Sequence, residues 1–536
     1  MHLIGALAVL AWLATASPTS QYSEHLQLTQ RPNGKVGAHF SFSQVLDGTK
    51  YHALEAIAHE FGVASLDLAF TQGKAGGCKA LNLDGIECTP AGLVLWAWLD
   101  NDLSPPLSSQ NSSDFSSRWT GLTNALAGTF CASINQIVPT KVSAEPRESF
   151  RVDGVDPEKH WLRYATLPRE ITCTENLTPW AKLLPCTTKA GIASLFNGYT
   201  LFDADYHSMR VRLRKQCNSA SLKCEIELHQ DLIVILDPVR KNYDRSINWS
   251  LRLLFEREIT GLCPLDVDGS QVTVTLPGGK NANWYGASEP VKDSTGNFVF
   301  PLELGKRVDF GLTYYDQEPV RDNIFVPTIQ LHRHLTGYGR ERGGFNLRLT
   351  NNDPTAPQSV TLLEVLPWYL HLYLHTLQTT TTSVSDNTRI LATPNITQRY
   401  QLSIPRSRPS ILEFSLALPP ASTTTIHYEF DRAFIKYTEH PPDANRGFDI
   451  PPSVLTVHTE KPYRIFSEIL LIALPTPDFS MPYNVITMTC TIVALYFGTV
   501  FNLIVKRLEG LERIPPKKAW WKFWMKKVDE VKEKTE

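Results

Sequence analysis

The sequence predicts a mainly β protein with some α, built from antiparallel β-sandwich-like domains outside a membrane and one C-terminal transmembrane helix. Three observations carry that reading. Tyr483 to Val505 runs without a charge and stops at Lys506-Arg507; at about 1.5 Å per residue it can cross a hydrocarbon core of about 30 Å. From Met209 onward apolar residues recur at every second position, in short runs separated by Gly, Pro and Asn turns. That period belongs to antiparallel strands rather than to βαβ units. Eight of the nine cysteines precede the apolar segment and none follows it, which places the large part of the chain in an oxidising compartment.

At the N-terminus, Leu3 to Leu13 is apolar but too short to span a bilayer, and Ala14-Thr15-Ala16 fits a small-residue cleavage site. Residues 1–16 therefore read as a signal peptide. The C-terminal flank of the apolar segment carries Lys506, Arg507, Arg513, Lys517, Lys518, Lys522, Lys526 and Lys527, whereas the flank before it has Glu468 and Asp478. Positive charge stays inside, so the tail is expected in the cytoplasm and the protein is expected to be single-pass type I. With 42% hydrophobic and 20% charged residues, the intervening chain can build two or three cores. A net charge of −2 offers nothing to nucleic acid.

In chain order, Glu24 to Phe42 alternates about an Asn33-Gly34 turn, a hairpin signal. Tyr51 to Phe61 has helical spacing through Leu54, Ile57, Ala58 and Phe61; Leu66, Leu68 and Phe70 return to a strand; Trp119, Leu122 and Leu126 predict a second helix over 119–132. Strands follow at Met209 to Leu213, Ile226 and Leu228, Leu232 to Leu236, Val272 to Leu276, Phe345 to Leu349, Val360 to Leu366, Leu370 with Leu372 and Leu374, Ile411 to Leu418 and Thr425 to Phe430. The expected organisation is an α+β, disulfide-bearing domain over 17–260, a β-sandwich-like domain over 261–482, the helix over 483–505 and a basic, aromatic tail over 506–536. Within that tail, Lys517 to Lys527 interleaves tryptophans with cations, which suits the headgroup level of a membrane.

Candidate site residues are few. Asn111, Asn176, Asn248 and Asn395 head Asn-X-Ser/Thr triplets and are candidate glycan acceptors. Short loops favour disulfides Cys78 with Cys88 and Cys217 with Cys224, leaving Cys131, Cys173, Cys186 and Cys263 with open pairing. Gly73, Gly76 and Gly77 lack the Lys-Ser/Thr of a phosphate-binding loop, so a disulfide-closed surface loop is expected there. His332 and His334 share one face of a strand without a third ligand at a diagnostic distance, and His371 and His375 form the polar face of another. Asp266 and Asp268 open a calcium-like loop with no Glu at its twelfth position. Gly337 to Gly344, with Arg340 and Arg342, reads as a loop before a strand. No GxSxG, HExxH or Gln-Ala-Cys motif is present, so no catalytic residue, metal site or cofactor is assigned.

The stretch Leu471-Ile-Ala-Leu474-Pro-Thr-Pro-Asp-Phe-Ser-Met-Pro482-Tyr-Asn-Val-Ile486 resembles the PIG-T family, the T subunit of the glycosylphosphatidylinositol (GPI) transamidase. The resemblance extends to Phe130-Cys-Ala-Ser133, Leu167-Pro-Arg-Glu170, Cys173-Thr-Glu-Asn-Leu-Thr-Pro-Trp180, Leu183-Leu-Pro-Cys186, Val365-Leu-Pro-Trp-Tyr-Leu370 and Pro452-Ser-Val-Leu455, in the same order. It implies a non-catalytic scaffold subunit of the endoplasmic reticulum complex that attaches GPI anchors to precursor proteins. Its implied partners are a caspase-like catalytic subunit and the other membrane subunits, with GPI lipid and precursor met through the complex. It also implies a disulfide from Cys186 to the catalytic subunit. Lys534 and Lys532, third and fifth from the C-terminus, then read as a retrieval signal on the cytoplasmic tail.

Overall fold

The computed structural model describes residues 22–505 apart from 47–51, 74–77, 79–86, 102–111, 138–142, 152–154, 219–222, 266–269, 278–281, 315–325, 385–389, 392–395 and a few shorter breaks. The signal segment and the tail, with Lys532 and Lys534, lie outside the described residues. A first body runs through β1 (Tyr22–Gln30), β2 (Val36–Leu46), α1 (Ala53–Phe61), β3 (Val63–Gly73), β4 (Gly92–Asp100), α2 (Ser112–Phe130), β5 (Ser143–Ala144), β6 (His160–Pro168), α3 (Thr174–Lys182) and α4 (Gly198–Phe202). It continues through β7 (Tyr206–Asn218), β8 (Lys223–Leu236), α5 (Pro238–Lys241), β9 (Trp249–Ser250), α6 (Leu251–Phe255), β10 (Gln271–Thr275), β11 (Ala282–Gly286), β12 (Val291–Lys292), β13 (Phe298–Pro301) and β14 (Phe310–Tyr314).

Eleven of these strands form one sheet in the order β12-β13-β10-β1-β2-β8-β7-β3-β4-β6-β5. The β1–β2 hairpin closes from Gln30 to Val36 through Gly34, whose φ of +85° is open to glycine at little cost. Along β1, buried and half-buried residues alternate strictly, so Leu26 and Leu28 face inward. The covering helix α2 buries Trp119, Leu122, Leu126 and Phe130 completely, at the three- and four-residue spacing of one helical face. The unbroken apolar run of β8 is covered on both sides. Leu232, Val234 and Leu236 enter the main core, while Ile233 and Ile235 lie with Cys78, Cys88 and Tyr206.

The sheet moves the expected domain division. β10 pairs in parallel with β1, Leu26 opposite Val272 and Leu28 opposite Val274, and β13 and β12 extend the same sheet. Residues 261–314 therefore complete the first body instead of opening the second. A boundary near 260 looked natural because the partners are far apart in sequence, and such pairing leaves no local pattern.

The second body comprises β15 (Ile329–Thr336), β16 (Arg342–Asn351), β17 (Gln358–Leu366), β18 (Leu370–Ser383), β19 (Ile390–Leu391), β20 (Thr397–Gln401), β21 (Ser410–Leu418), β22 (Ser422–Arg432), β23 (Phe448–Ile450), β24 (Val454–Val457), β25 (Tyr463–Phe466) and β26 (Leu470–Ile472). Two five-stranded sheets, β15-β16-β22-β18-β19 and β20-β21-β17-β24-β25, enclose a core that includes Leu331, Phe345, Leu347, Leu362, Phe414, Ile426 and Phe430. This is a β-sandwich.

The two bodies meet over a shared apolar seam. Val94, Trp96, Trp98, Phe150 and Tyr164 of the first pack with Leu363, Val365, Val454 and Phe466 of the second. Polar links cross it. Glu87, half-buried and next in sequence to Cys88, accepts from Arg210 of the first body and Arg464 of the second, both at 2.7 Å. The flanking arginines hold its carboxyl below the usual range despite the opposing effect of burial. The last described element, α7 (Ser480–Val505), is a separate unit.

Candidate functional site

The site is an exposed corner of the first body that carries two unbonded thiols. Helix α2 ends at the fully buried Phe130, and Cys131 turns the chain with φ at +51°. Helix α3 starts after Cys173, whose backbone N–H donates to Asn176 Oδ1 at 2.9 Å. The Asn176 Nδ2 group donates to the carbonyls of Phe130 and Cys131, both at 3.0 Å. A single carboxamide thus ties the end of α2 to the start of α3. Cys131 and Cys173 are both exposed and unbonded. Beside them stand Ile171, 77% exposed, and Tyr199 of α4, 87% exposed. Helix α4 approaches closely because residue 198 is glycine: a Cβ there would lie 2.8 Å from Thr174 Cγ2. Two thiols flanked by bare aliphatic and aromatic side chains suit covalent and apolar contact with another protein.

Cys186, expected to bridge to another subunit, is bonded to Cys263 within the chain, with Cα atoms 6.0 Å apart. The chain after Cys186 folds back on residues 260–261: Gly191 N–H donates to Gly261 O at 2.8 Å, and Thr260 Oγ1 donates to Lys189 O at 3.1 Å. Proline and glycine in this segment accompany a packed return, not an outward loop. The other bonds are Cys78–Cys88 and Cys217–Cys224. Since the Cys186–Cys263 bond closes 77 residues of separation, Cys263→Ser is expected to lower stability by roughly 2–4 kcal/mol. Thermal unfolding checks the loss, and peptide mapping without reductant should recover the two segments joined.

The sequons separate sharply. Asn176 is 3% exposed and uses both ends of its carboxamide internally, so it is corrected from glycan acceptor to structural tie. Asn248 Oδ1 accepts from Tyr314 N–H at 2.9 Å, docking β14 beside β9. Asn111 and Asn395 lie outside the described residues, as do Asp266 and Asp268. His332 pairs with Glu468 at 2.8 Å on the surface, and His334, His371 and His375 stand exposed. Among the described residues no three His, Cys, Asp or Glu side chains gather as metal ligands. Only the arrangement in space distinguishes Cys173 from Cys186; the text around each is equally turn-like.

Helix α7 forms a unit of its own. Thr487, Thr489 and Thr491 each donate to the carbonyl four residues earlier, so their hydroxyls are satisfied within the helix. Its apolar side chains are exposed from Tyr483 to Val505.

Fold and site together define a class: a β-rich body with unpaired surface thiols, followed by a helix long and apolar enough to cross a membrane. Comparison with known proteins makes this particular. Residues 6–247 and 241–529 match the family described as Gpi16 subunit, GPI transamidase component. The chain is 34% identical to the GPI-anchor transamidase component PIGT of Mus musculus, over 91% of this chain and 90% of the relative. It is 33% identical to the Homo sapiens protein of that name over 92% of each, and 30% identical to the GPI transamidase component GPI16 of Saccharomyces cerevisiae over 92% and 89%. The chain belongs to this family of GPI transamidase components. Among solved structures, the collagen binding domain of Erysipelothrix rhusiopathiae RspB aligns with 85% of the chain and 90% of its own, at a TM-score of 0.17 and 9% identity.

Proposed function

We propose that this chain is a non-catalytic subunit of the GPI transamidase, which stabilises the complex and holds its caspase-like catalytic subunit while GPI anchors are attached to precursor proteins. It acts from the luminal side of the endoplasmic reticulum membrane as a single-pass type I protein, with α7 among the other membrane subunits. The observation that carries the reading is the exposed pair Cys131 and Cys173 on an apolar corner, in a chain of this family. A covalent bridge to the catalytic subunit runs through one of these thiols, because Cys186 is already bonded to Cys263. Such a bond raises the effective concentration of the partner, so modest contacts around Ile171 and Tyr199 complete the interface.

Non-reducing electrophoresis of the assembled complex tests this. A band at the summed mass of two subunits is expected, lost on either Cys173→Ser or Cys131→Ser and retained in the other. Retention of the band in the double variant would move the bridge elsewhere. Cleavage of a GPI-signal peptide by the purified chain alone would overturn the non-catalytic assignment.

A further inference from the structure

Of the four margins of the sandwich, three are blocked or broken. Strand β25 is tied to the first body through Phe466 in the seam and through Arg464, which donates to Glu87. Strand β15 is capped by Glu468, whose carboxylate accepts the Arg333 N–H at 2.9 Å. Strand β18 is interrupted by a register shift between Tyr373 and Gln378, and its far end pairs with the two-residue β19. Devices of this kind keep a strand edge from pairing with another chain. Strand β20 has none of them. It closes its sheet, bound to β21 alone, in an unbroken register from Thr397 opposite Ser415 to Gln401 opposite Ile411.

All five residues of β20 are exposed. Residues opposite each other across a ladder share a face, so Gln398 and Tyr400, opposite the core residues Phe414 and Leu412, lie on the core side of the sheet. Tyr400 is nonetheless 59% exposed, and Leu402, two residues on, is 48% exposed. The core therefore reaches this margin as an uncovered apolar lip. Arg399 lies on the other face, opposite Glu413, whose carboxylate is turned to the amides of residues 147–149. Residues 397–412 hold three arginines and no acid. Arg406 is bonded to Glu439 and Arg408 donates to the Leu402 carbonyl, while Arg399 joins none of the ion pairs among the described residues.

We propose that β20 receives an added strand from another subunit of the complex: an extended segment whose alternate side chains are apolar, to cover Tyr400 and Leu402, with a carboxylate opposite Arg399 on the intervening face. The inference rests on the reading of this chain as a subunit of that complex. A bare strand edge presents a row of N–H and C=O groups that another extended backbone matches along its length. A helix has spent the same groups internally, and hydrocarbon would leave those of β20 unpaired. A second copy of this chain is opposed by charge, because antiparallel pairing of two β20 strands about their midpoint sets Arg399 against Arg399. A foreign strand of period two satisfies both faces: the main-chain bonds hold it, and Tyr400 and Arg399 select it.

The test is hydrogen exchange on the purified, intact complex. Amides of β20 are expected to exchange about tenfold more slowly in the wild type than in Arg399→Glu or Tyr400→Asp, with Arg399→Lys keeping the protection. Both positions are exposed, so the variants retain the sandwich, which unchanged exchange in β17 and β21 verifies. A benzophenone amino acid in place of Leu402 should crosslink to a segment of another subunit that has apolar residues at alternate positions and Asp or Glu between them. Unprotected β20 amides in the wild-type complex, equal exchange in the wild type and Arg399→Glu, or a crosslink to lipid, to a helical segment or to a second copy of this chain would each overturn the inference. Recovery of this chain without any other subunit would overturn the subunit reading and the inference together, whereas a stable complex with a bare β20 overturns the inference alone.

Discussion

Glu413→Ala is expected to loosen the seam between the two bodies and to cost about 3 kcal/mol of stability. Glu413 lies on β21 of the second body and is 3% exposed. Its carboxylate accepts the backbone N–H groups of Arg147, Glu148 and Ser149 of the first body, at 3.1, 3.2 and 3.4 Å. Successive amides turned toward one anion form a nest, and bonds to a charged acceptor exceed neutral ones in strength. The next residue, Phe150, holds φ at +63° while fully buried, a conformation that a bulky residue keeps only when its surroundings enforce it. Phe150 stacks on Tyr164 with centroids 4.7 Å apart, and its carbonyl accepts from Trp98 Nε1 at 3.0 Å. Removing the carboxylate leaves three donors unpaired and frees the turn that delivers this ring. Hydrogen exchange should accelerate at amides 147–149 together with a lower unfolding temperature; Glu413→Gln, which keeps one oxygen, should fall between. Unchanged exchange at those amides would show that the apolar seam alone sets the junction.

Arg333→Met is expected to destabilise the second body by about 3–5 kcal/mol, and adding Glu364→Leu should return much of that loss. Both side chains are fully buried, with Nη2 and Oε2 at 3.0 Å. Arg333 also donates to Pro451 O at 2.6 Å and lies over the Phe345 ring, 4.7 Å from its centroid. Glu364 accepts from the Tyr428 hydroxyl at 3.0 Å. Burial, reinforced by the Glu364 charge, pushes that phenol far above its usual range, so it stays a donor. Removing the arginine strands a carboxylate in the sandwich core, whereas removing both charges leaves an apolar pair. Thermal unfolding of the single and double variants measures the coupling; a double variant less stable than Arg333→Met would refute this account.

Local text reached some of this and missed the rest for identifiable reasons. The alternation of β1 and β16, the Gly34 turn, the α2 face through Trp119, Leu122 and Leu126, and the charge-free run to Val505 each lie within a short window. The burial of the β1, β16 and α2 faces follows from period and composition. Arg333 hid in such a window: it occupies an inward position between His332 and His334, where pattern alone asks for an apolar residue.

The amino-acid sequence by itself determined the element types, the membrane-length helix and the kinship, because these depend on residues close in the chain or matched in order. Tertiary structure alone decided which distant residues meet. It joined β1 to β10, bonded Cys186 to Cys263, and buried Asn176 as a tie between α2 and α3. It also left Cys131 and Cys173 exposed together and brought Thr336 and His427 close over Gly344. Each of these depends on strands and helices tens or hundreds of residues apart, where the cost of loop closure grows only slowly with length and sequence distance places little restriction on the partner.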